Sequence, residues 1–458
     1  MQPPRRTRRS TRSYSSVAAA EPSSNRGWLA ARRKPSKKRA RRTATTIADG
    51  EEDDGTPLTD EILVGIFAGL PDLADIVRAA ATCRRWRSLV SGESAFISRD
   101  SRRTRGIFLC GLALGFFYTH RKGAVPRFTP TASASRRLGL RQPSLNELVD
   151  GLDDGLFESS RLVGSRKGLL VVELKHDRKH VLKLCVCNPM TGEVTVLPPL
   201  TGKESLGRYA CTVLTAEDGS NDHRHSSSYR LVIVYTRRTF TACRSYSSED
   251  GAWGLEAKVI TESGITQKQM AAMTGAGVVV GNTVYWHART KVFGLHLDTL
   301  VAEHVDMPEN GHRRHNPAVN TMLGVSPDGR LRTIQVIEHV PAGLSTTAGE
   351  QSVALGINTR SATGGMWDAQ EVIPVVQSLP AEAKCVKLRW VGENSGVVYF
   401  SAGSSDQTSD MYALNLDKKE VEKLASHQHG GGDSLWGNLH GYEMDQSLYL
   451  SSLAMEED

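Results

Sequence analysis

The chain has 458 residues, 39% of them hydrophobic and 23% charged, with a formal net charge of +7. That length allows two or three domains with sizeable cores. The positive charge belongs to one end: residues 1–45 hold 14 Lys and Arg against the single acid Glu21, whereas the remainder holds 43 basic and 49 acidic residues. A basic folded body that tracks a polyanion is therefore excluded, and any polyanion contact is expected at the tail. The seven cysteines, Cys83, Cys110, Cys185, Cys187, Cys211, Cys243 and Cys385, are odd in number and scattered. With no apolar signal segment, they point to a reducing compartment and not to a disulfide framework.

Residues 1–55 are rich in Arg, Ser and Pro, nearly free of large apolar side chains, and end in the acidic run Asp49 to Asp54. Such a composition is expected to be disordered. Within it Arg32, Arg33, Lys34, Lys37, Lys38, Arg39, Arg41 and Arg42 place eight cations in eleven residues. An import receptor or a nucleic-acid backbone binds such a cluster, and we read it as a nuclear-localisation signal. The alternatives are a merely solvated tail and, for the Arg- and Ser-rich first 25 residues, an organelle transit peptide.

Three short amphipathic pieces follow. Ile62, Leu63, Ile66, Phe67 and Leu70 recur at helical spacing, then Ile76, Val77, Ala80 and Ala81, then Cys83, Trp86, Leu89 and Val90. Thr59 is positioned to N-cap the first helix, with Asp60 and Glu61 in its first turn. Leu70-Pro71 ends that helix, because a residue before proline is pushed out of the helical region. A unit of this size seldom buries enough surface to stand alone, so a partner that covers the leftover apolar face is expected.

Leu58, Ile62, Leu70-Pro71, Asp75-Ile76 and the run Cys83-Arg84-Arg85-Trp86-Arg87-Ser88-Leu89 stand in the order in which these residue types occur in F-box proteins. Residues 56–100 thus resemble an F-box, departing at Thr59, where the family usually has proline. The resemblance implies a three-helix domain that docks a Skp adaptor and, through it, a cullin scaffold. It implies an adaptor contact through Leu58, Ile62, Leu63, Ile66, Phe67, Leu70, Pro71 and Trp86.

Beyond residue 100 the pattern changes to short strands. The longest apolar stretch, 106–117, falls short of the ~20 residues a bilayer span needs and reads as a pair of core strands, so no membrane segment is predicted. A weak repeat aligns three segments. Gly168-Leu-Leu-Val-Val precedes Leu184–Pro199 with its Asn188 turn, Gly281-Asn-Thr-Val-Tyr-Trp286 precedes Phe293–Ala302 with Asp298, and Gly396-Val-Val-Tyr-Phe400 precedes Met411–Val421 with Asp417. Each reads as strand, loop, strand, Asx turn, strand, which is a blade-like meander. Their spacing leaves room for degraded blades between them, one marked by the turn Val325-Ser-Pro-Asp-Gly-Arg330. The expected fold is mainly β with a small α domain: a basic tail, the F-box, a propeller of six to eight blades over 101–445, most simply six or seven, and a C-terminal tail over 446–458. The stretch Leu162 to Leu170, Asn188-Pro189 and Leu197-Pro198-Pro199 also resembles the F-box-associated propeller of plant, especially grass, F-box proteins.

Motifs for chemistry are sparse. Cys185 and Cys187 share one face of a strand without a second pair at zinc spacing, and read as core. The pairs His223/His225, His312/His315 and His427/His429 lie in polar or Gly-rich loops. Gly275-Ala-Gly277 runs into a strand where a phosphate-binding helix would have to begin. No P-loop, nucleophile elbow or His-Glu-x-x-His occurs. Trp286 and Trp390 read as blade core, Trp253 and Trp367 as surface candidates, and Trp436 as a further aromatic candidate. The sequence therefore points to a non-catalytic substrate receptor of an SCF-type cullin ubiquitin ligase in nucleus and cytosol, needing no cofactor or metal. Its propeller would hold a protein target at a site the sequence does not name. The alternative is a nuclear scaffold or nucleic-acid-associated protein acting through the tail.

Overall fold

The computed structural model describes residues 58–453 apart from breaks, the longest at 219–227, 309–319, 338–352 and 427–435. The basic tail with its eight cations, Pro71 and all three histidine pairs lie outside the described residues.

The N-terminal domain has four helices, not the three expected: α1 (Asp60–Gly69), α2 (Leu73–Ala80), α3 (Arg84–Gly92) and α4 (Ser94–Arg103). Thr59 holds the extended N-cap conformation, although its side chain makes no cap bond, and α1 stops at an extended Leu70. Cys83 caps α3 by accepting from the Trp86 amide at 3.5 Å. Inside the domain Leu63, Phe67, Ile76, Val90 and Ile97 are buried, and Trp86 meets the edge of Phe67 at 5.3 Å between ring centroids.

The rest is a six-bladed propeller of antiparallel sheets. The first blade comprises Arg161–Arg166, Leu169–Glu173, Leu184–Asn188 and Glu193–Val196, and the second Tyr209–Thr215, Tyr229–Thr236, Thr241–Ser247 and Ala252–Trp253. Val278–Val280, Thr283–Ala288, Lys291–His296 and Ala302–Asp306 form the third. The fourth is Thr321–Val325, Leu331–Ile337, Ala354–Thr359 and Glu371–Pro374, and the fifth Cys385–Val391, Val397–Gly403, Ser409–Asn415 and Glu420–Ala425. In the sixth, Leu439–Glu443 pairs with Ala113–Tyr118, which pairs with Arg127–Pro130, so the two ends of the domain are hydrogen-bonded into one sheet. That shared sheet closes the ring and leaves only short edges. The stretch 106–117 is accordingly not a strand pair: it supplies a 3-10 turn, Cys110–Leu112, and most of one strand.

The three repeat segments are the second to fourth strands of the first, third and fifth blades, and the second and fourth blades lie between them. Gly168, Gly281 and Gly396 sit in the turns after the first strands at φ of 76°, 57° and 59°, the left-handed region that glycine tolerates. At Gly396 a Cβ would lie 2.3 Å from the Phe108 ring.

Residues 446–451, expected in a tail, form the helix Gln446–Ser451. Tyr449 and Leu450 are buried in one apolar cluster that also holds Phe67, Ile97, Leu114, Phe117 and Leu145. The helical domain and the propeller therefore share a core.

Candidate functional site

The residues expected at the adaptor contact divide between two environments. Leu63 and Phe67 turn into the domain core at 3% and 1% exposure, whereas Leu58, Ile62 and Ile66 remain 51%, 50% and 47% exposed. Leu70 is half-buried, and Trp86 is half-buried against Phe67. Spacing explains the division: within α1 positions 62 and 66 are four apart and align along one face, 63 and 67 lie about 100° further round and turn inward, and Leu58 stands just ahead of the helix. Arg85 ties this face to α3, donating to Asp60 at 2.7 Å and to the Leu58 carbonyl at 2.6 Å. Phe96 on α4 is a further exposed aromatic of this domain, at 46%. The sequence reading omitted it along with its helix.

The propeller encloses a central channel of about 580 Å³, lined by the first strands of all six blades. Where those strands finish, the channel is filled by a buried ion cluster. Arg166 donates to Asp218 at 2.5 and 2.8 Å, to both oxygens of Glu393 at 2.9 Å, and to the Val213 carbonyl at 2.8 Å. Burial would raise the Asp218 carboxyl, but the charge and hydrogen bonds of Arg166 hold it well below the usual range. Glu443 beside them accepts from the Ser395 amide at 2.7 Å, and burial pushes its carboxyl up.

The helical domain lies at this filled end. The Leu109 amide donates to Asn394 and the Phe108 amide to Asp417, both in turns of the fifth blade, and the helix Gln446–Ser451 follows Glu443 directly onto α4. At the opposite end, where the first strands begin, Arg161 is paired with Glu173 at 2.5 Å, and Tyr209 donates to the same carboxylate at 2.7 Å. Burial and the nearby Arg161 push His440 down to about 4, and burial also lowers His287. Both imidazoles are neutral at pH 7.

The tryptophans act mainly between blades. The indole N–H of Trp253 donates to the Pro198 carbonyl at 2.8 Å, Trp286 to Cys211 at 3.4 Å, Trp367 to Asp306 at 2.8 Å and Trp436 to Ser409 at 2.7 Å. Each acceptor belongs to the preceding blade or the turn that leaves it. Trp253 and Trp367, read as surface candidates, are thus half-buried ties, and Trp390, read as core, is half-buried and lines the channel while stacking on Tyr399 at 5.1 Å. Cys185 and Cys187 are buried in the core, and burial pushes the Cys185 thiol up to about 12. Among the described residues no group of His, Cys, Asp and Glu is placed to hold a metal, and no helix is long and apolar enough to cross a membrane.

Residues 60–99 match the family model described as F-box-like, and residues 126–453 match the one described as Domain of unknown function (DUF7595). No curated protein matches the chain. Among solved structures, a functionally unknown protein from Desulfotomaculum acetoxidans is 12% identical over 73% of this chain and all of its own, with a TM-score of 0.35. Oligogalacturonate lyase from Vibrio parahaemolyticus is 9% identical over 71% of this chain and 89% of its own, with a TM-score of 0.32.

Proposed function

We infer the function of this chain from one premise: it belongs to the family described as Domain of unknown function (DUF7595), with an F-box-like domain ahead of the matched region. On that premise the chain is the substrate-recognition subunit of an SCF-type cullin ubiquitin ligase. The F-box docks a Skp adaptor and the propeller holds a protein target. The observation that carries this is the group of Ile62 and Ile66 on one face of α1 and Leu58 just ahead of it, three large apolar side chains about half exposed on a helix that buries Leu63 and Phe67. Water-exposed apolar groups of this kind mark partner surfaces. The chain would need no nucleophile, because holding a target near a charged ubiquitin carrier raises the effective concentration of the reacting lysine.

The test is Ile62→Asp with Ile66→Asp. Both side chains are exposed, so the variant is expected to fold, yet two carboxylates would be trapped at the interface, costing several kcal/mol and thus orders of magnitude in affinity. Co-purification of the adaptor with the folded variant would refute the reading. For location we propose nucleus and cytosol, with residues 32–42 engaging an import receptor. Replacing Lys37, Lys38, Arg39, Arg41 and Arg42 with Ala is expected to shift a tagged full-length chain out of the nucleus with an unaltered melting temperature, and unchanged nuclear signal would overturn it.

A further inference from the structure

The two ends of the second and third blades carry opposite charge. At the end away from the helical domain, where the first strands begin, Arg208, Arg238, Lys258, Lys268 and Arg289 are all exposed, and none has an acidic partner among the described residues. The turns at the other end of the same blades hold Glu249, Asp250 and Asp298, likewise exposed. Pairing gathers the cations around one turn. Arg208 precedes Tyr209, which pairs with Tyr235 just before the turn 237–240 that carries Arg238. The connection from the second blade to the third wraps that turn. Lys258 pairs with Ala242, the Val259 amide donates to the Thr241 carbonyl at 2.9 Å, and Gln267, next to Lys268, donates from its side chain to the Thr236 hydroxyl. Arg289 stands two residues beyond His287, which lines the channel mouth with Arg208 and Met270.

Little negative charge offsets this face. Glu256 is held by Arg237 at 2.6 Å and by the Tyr235 hydroxyl, which leaves Glu262 as the uncommitted acid around this turn among the described residues. The same connection exposes Leu255 at 91% and Ile260 at 60%. Two large apolar side chains left this open beside unpaired cations suit a partner that supplies both apolar contact and negative charge. Charge also favours a polypeptide over a nucleic acid. Beyond residue 45 the chain holds 49 acidic residues against 43 basic, so a long polyanion would run off this face onto repelling surface, whereas a short acidic segment is confined to it. Bases would find no stacking platform either, since Tyr235 is buried and Trp253 is half-buried and tied to the Pro198 carbonyl.

We propose that this face is where the propeller takes its target, and that the target presents an acidic polypeptide segment carrying large apolar side chains. That the bound segment belongs to a ubiquitination target rests on the substrate-receptor reading; the binding itself does not.

Peptides of equal length built from repeats of Asp-Glu-Leu, Asn-Gln-Leu and Asp-Glu-Ser, each carrying a photo-cross-linking group, test this on the purified full-length chain. The basic tail also attracts acid, so the measured quantity is the yield of cross-links within residues 236–268, located by mass spectrometry. For the Asp-Glu-Leu peptide that yield is expected to saturate, at a half-saturating concentration about tenfold lower than for either of the others. Lys258→Glu with Lys268→Glu and, separately, Leu255→Ser with Ile260→Ser alter only exposed side chains. Each is expected to raise that concentration about tenfold with an unaltered melting temperature. Cross-links confined to residues 1–45, equal capture of either other peptide, or unchanged capture by either folded variant would overturn the assignment. So would displacement of the peptide from this face more readily by oligothymidylate than by unlabelled peptide. The comparison of peptides decides the matter in the unmodified chain should neither variant fold. Lys258→Glu with Lys268→Glu is expected to keep its adaptor, and Ile62→Asp with Ile66→Asp to keep the peptide, so this surface and the adaptor reading stand or fall separately.

Discussion

His440 shows how position in the ring sets side-chain chemistry. On the innermost strand of the closing blade, burial and the Arg161 charge favour its neutral form in the folded state, pushing it down to about 4 from the ordinary 6.5. The unfolded chain then binds more protons than the folded one between those values, so this group removes stability as pH falls from about 6.5 toward 4. Glu443 on the same strand acts in the opposite sense. Its raised carboxyl contributes stability at low pH that is lost as pH rises above the ordinary 4.5. The two offset each other in overlapping windows, and only a difference separates them. Relative to its own value at pH 7, the wild type is expected to lose on the order of 2 kcal/mol more stability at pH 4.5 than His440→Gln, measured by urea denaturation. Equal losses would show that His440 is protonated in the folded protein at pH 4.5. The Asp218 contribution is separate again: its depressed carboxyl holds stability above the ordinary 3.8 and releases it only in stronger acid.

At the scale of elements, what was legible depended on whether the signal was local. The first three helices were written in periodic apolar residues and in Leu70-Pro71, and the first, third and fifth blades in a glycine that must be left-handed plus an Asx turn, as where Asn188 accepts from the Met190 amide at 3.0 Å. Helix α4, by contrast, carries only Phe96 and Ile97 as large apolar residues, and the C-terminal helix is six residues long, so neither shows a period. Both are held by packing against each other and the shared core. The second and fourth blades were legible only as room between the repeats and, for the fourth, as the turn 325–330 between its first two strands, because long connections, 216–228 and 338–353, interrupt their meanders. The exposed apolar residues were legible as apolar but not as exposed, since the stripe on α1 is wide enough that Leu63 and Phe67 carry the same signature as Ile62 and Ile66. The channel left no trace, because its wall takes a few residues from each first strand, the strand that the repeat did not contain.

At the scale of the whole molecule, closure joins what sequence distance separates. Gly115 pairs with Tyr442 and Phe117 with His440, so the innermost strand of the sixth blade comes from the C-terminal end and its outer strands from the residues just after the helical domain. Phe116, Tyr399 and Trp436 then pack edge to face across the seam between the fifth and sixth blades, at 5.8 Å for each pair that includes Phe116. Ala113–Tyr118 and Arg127–Pro130 form a local hairpin, but no local turn joins them to Leu439–Glu443, and those hydrogen bonds exist only when the ring is complete. Truncation at residue 390 removes three strands of the fifth blade together with Leu439–Glu443 and the C-terminal helix, and so exposes two sheet edges and the apolar faces beneath them. That fragment is expected to be insoluble, whereas deletion of residues 1–55, which takes no strand or helix from the ring or the helical domain, is expected to leave a soluble monomer. Size-exclusion chromatography of the two products checks this. A stable, monomeric fragment ending at 390 would mean that the blades hold without the shared sheet, and that the helical domain is fixed to the propeller by something other than the core they have in common.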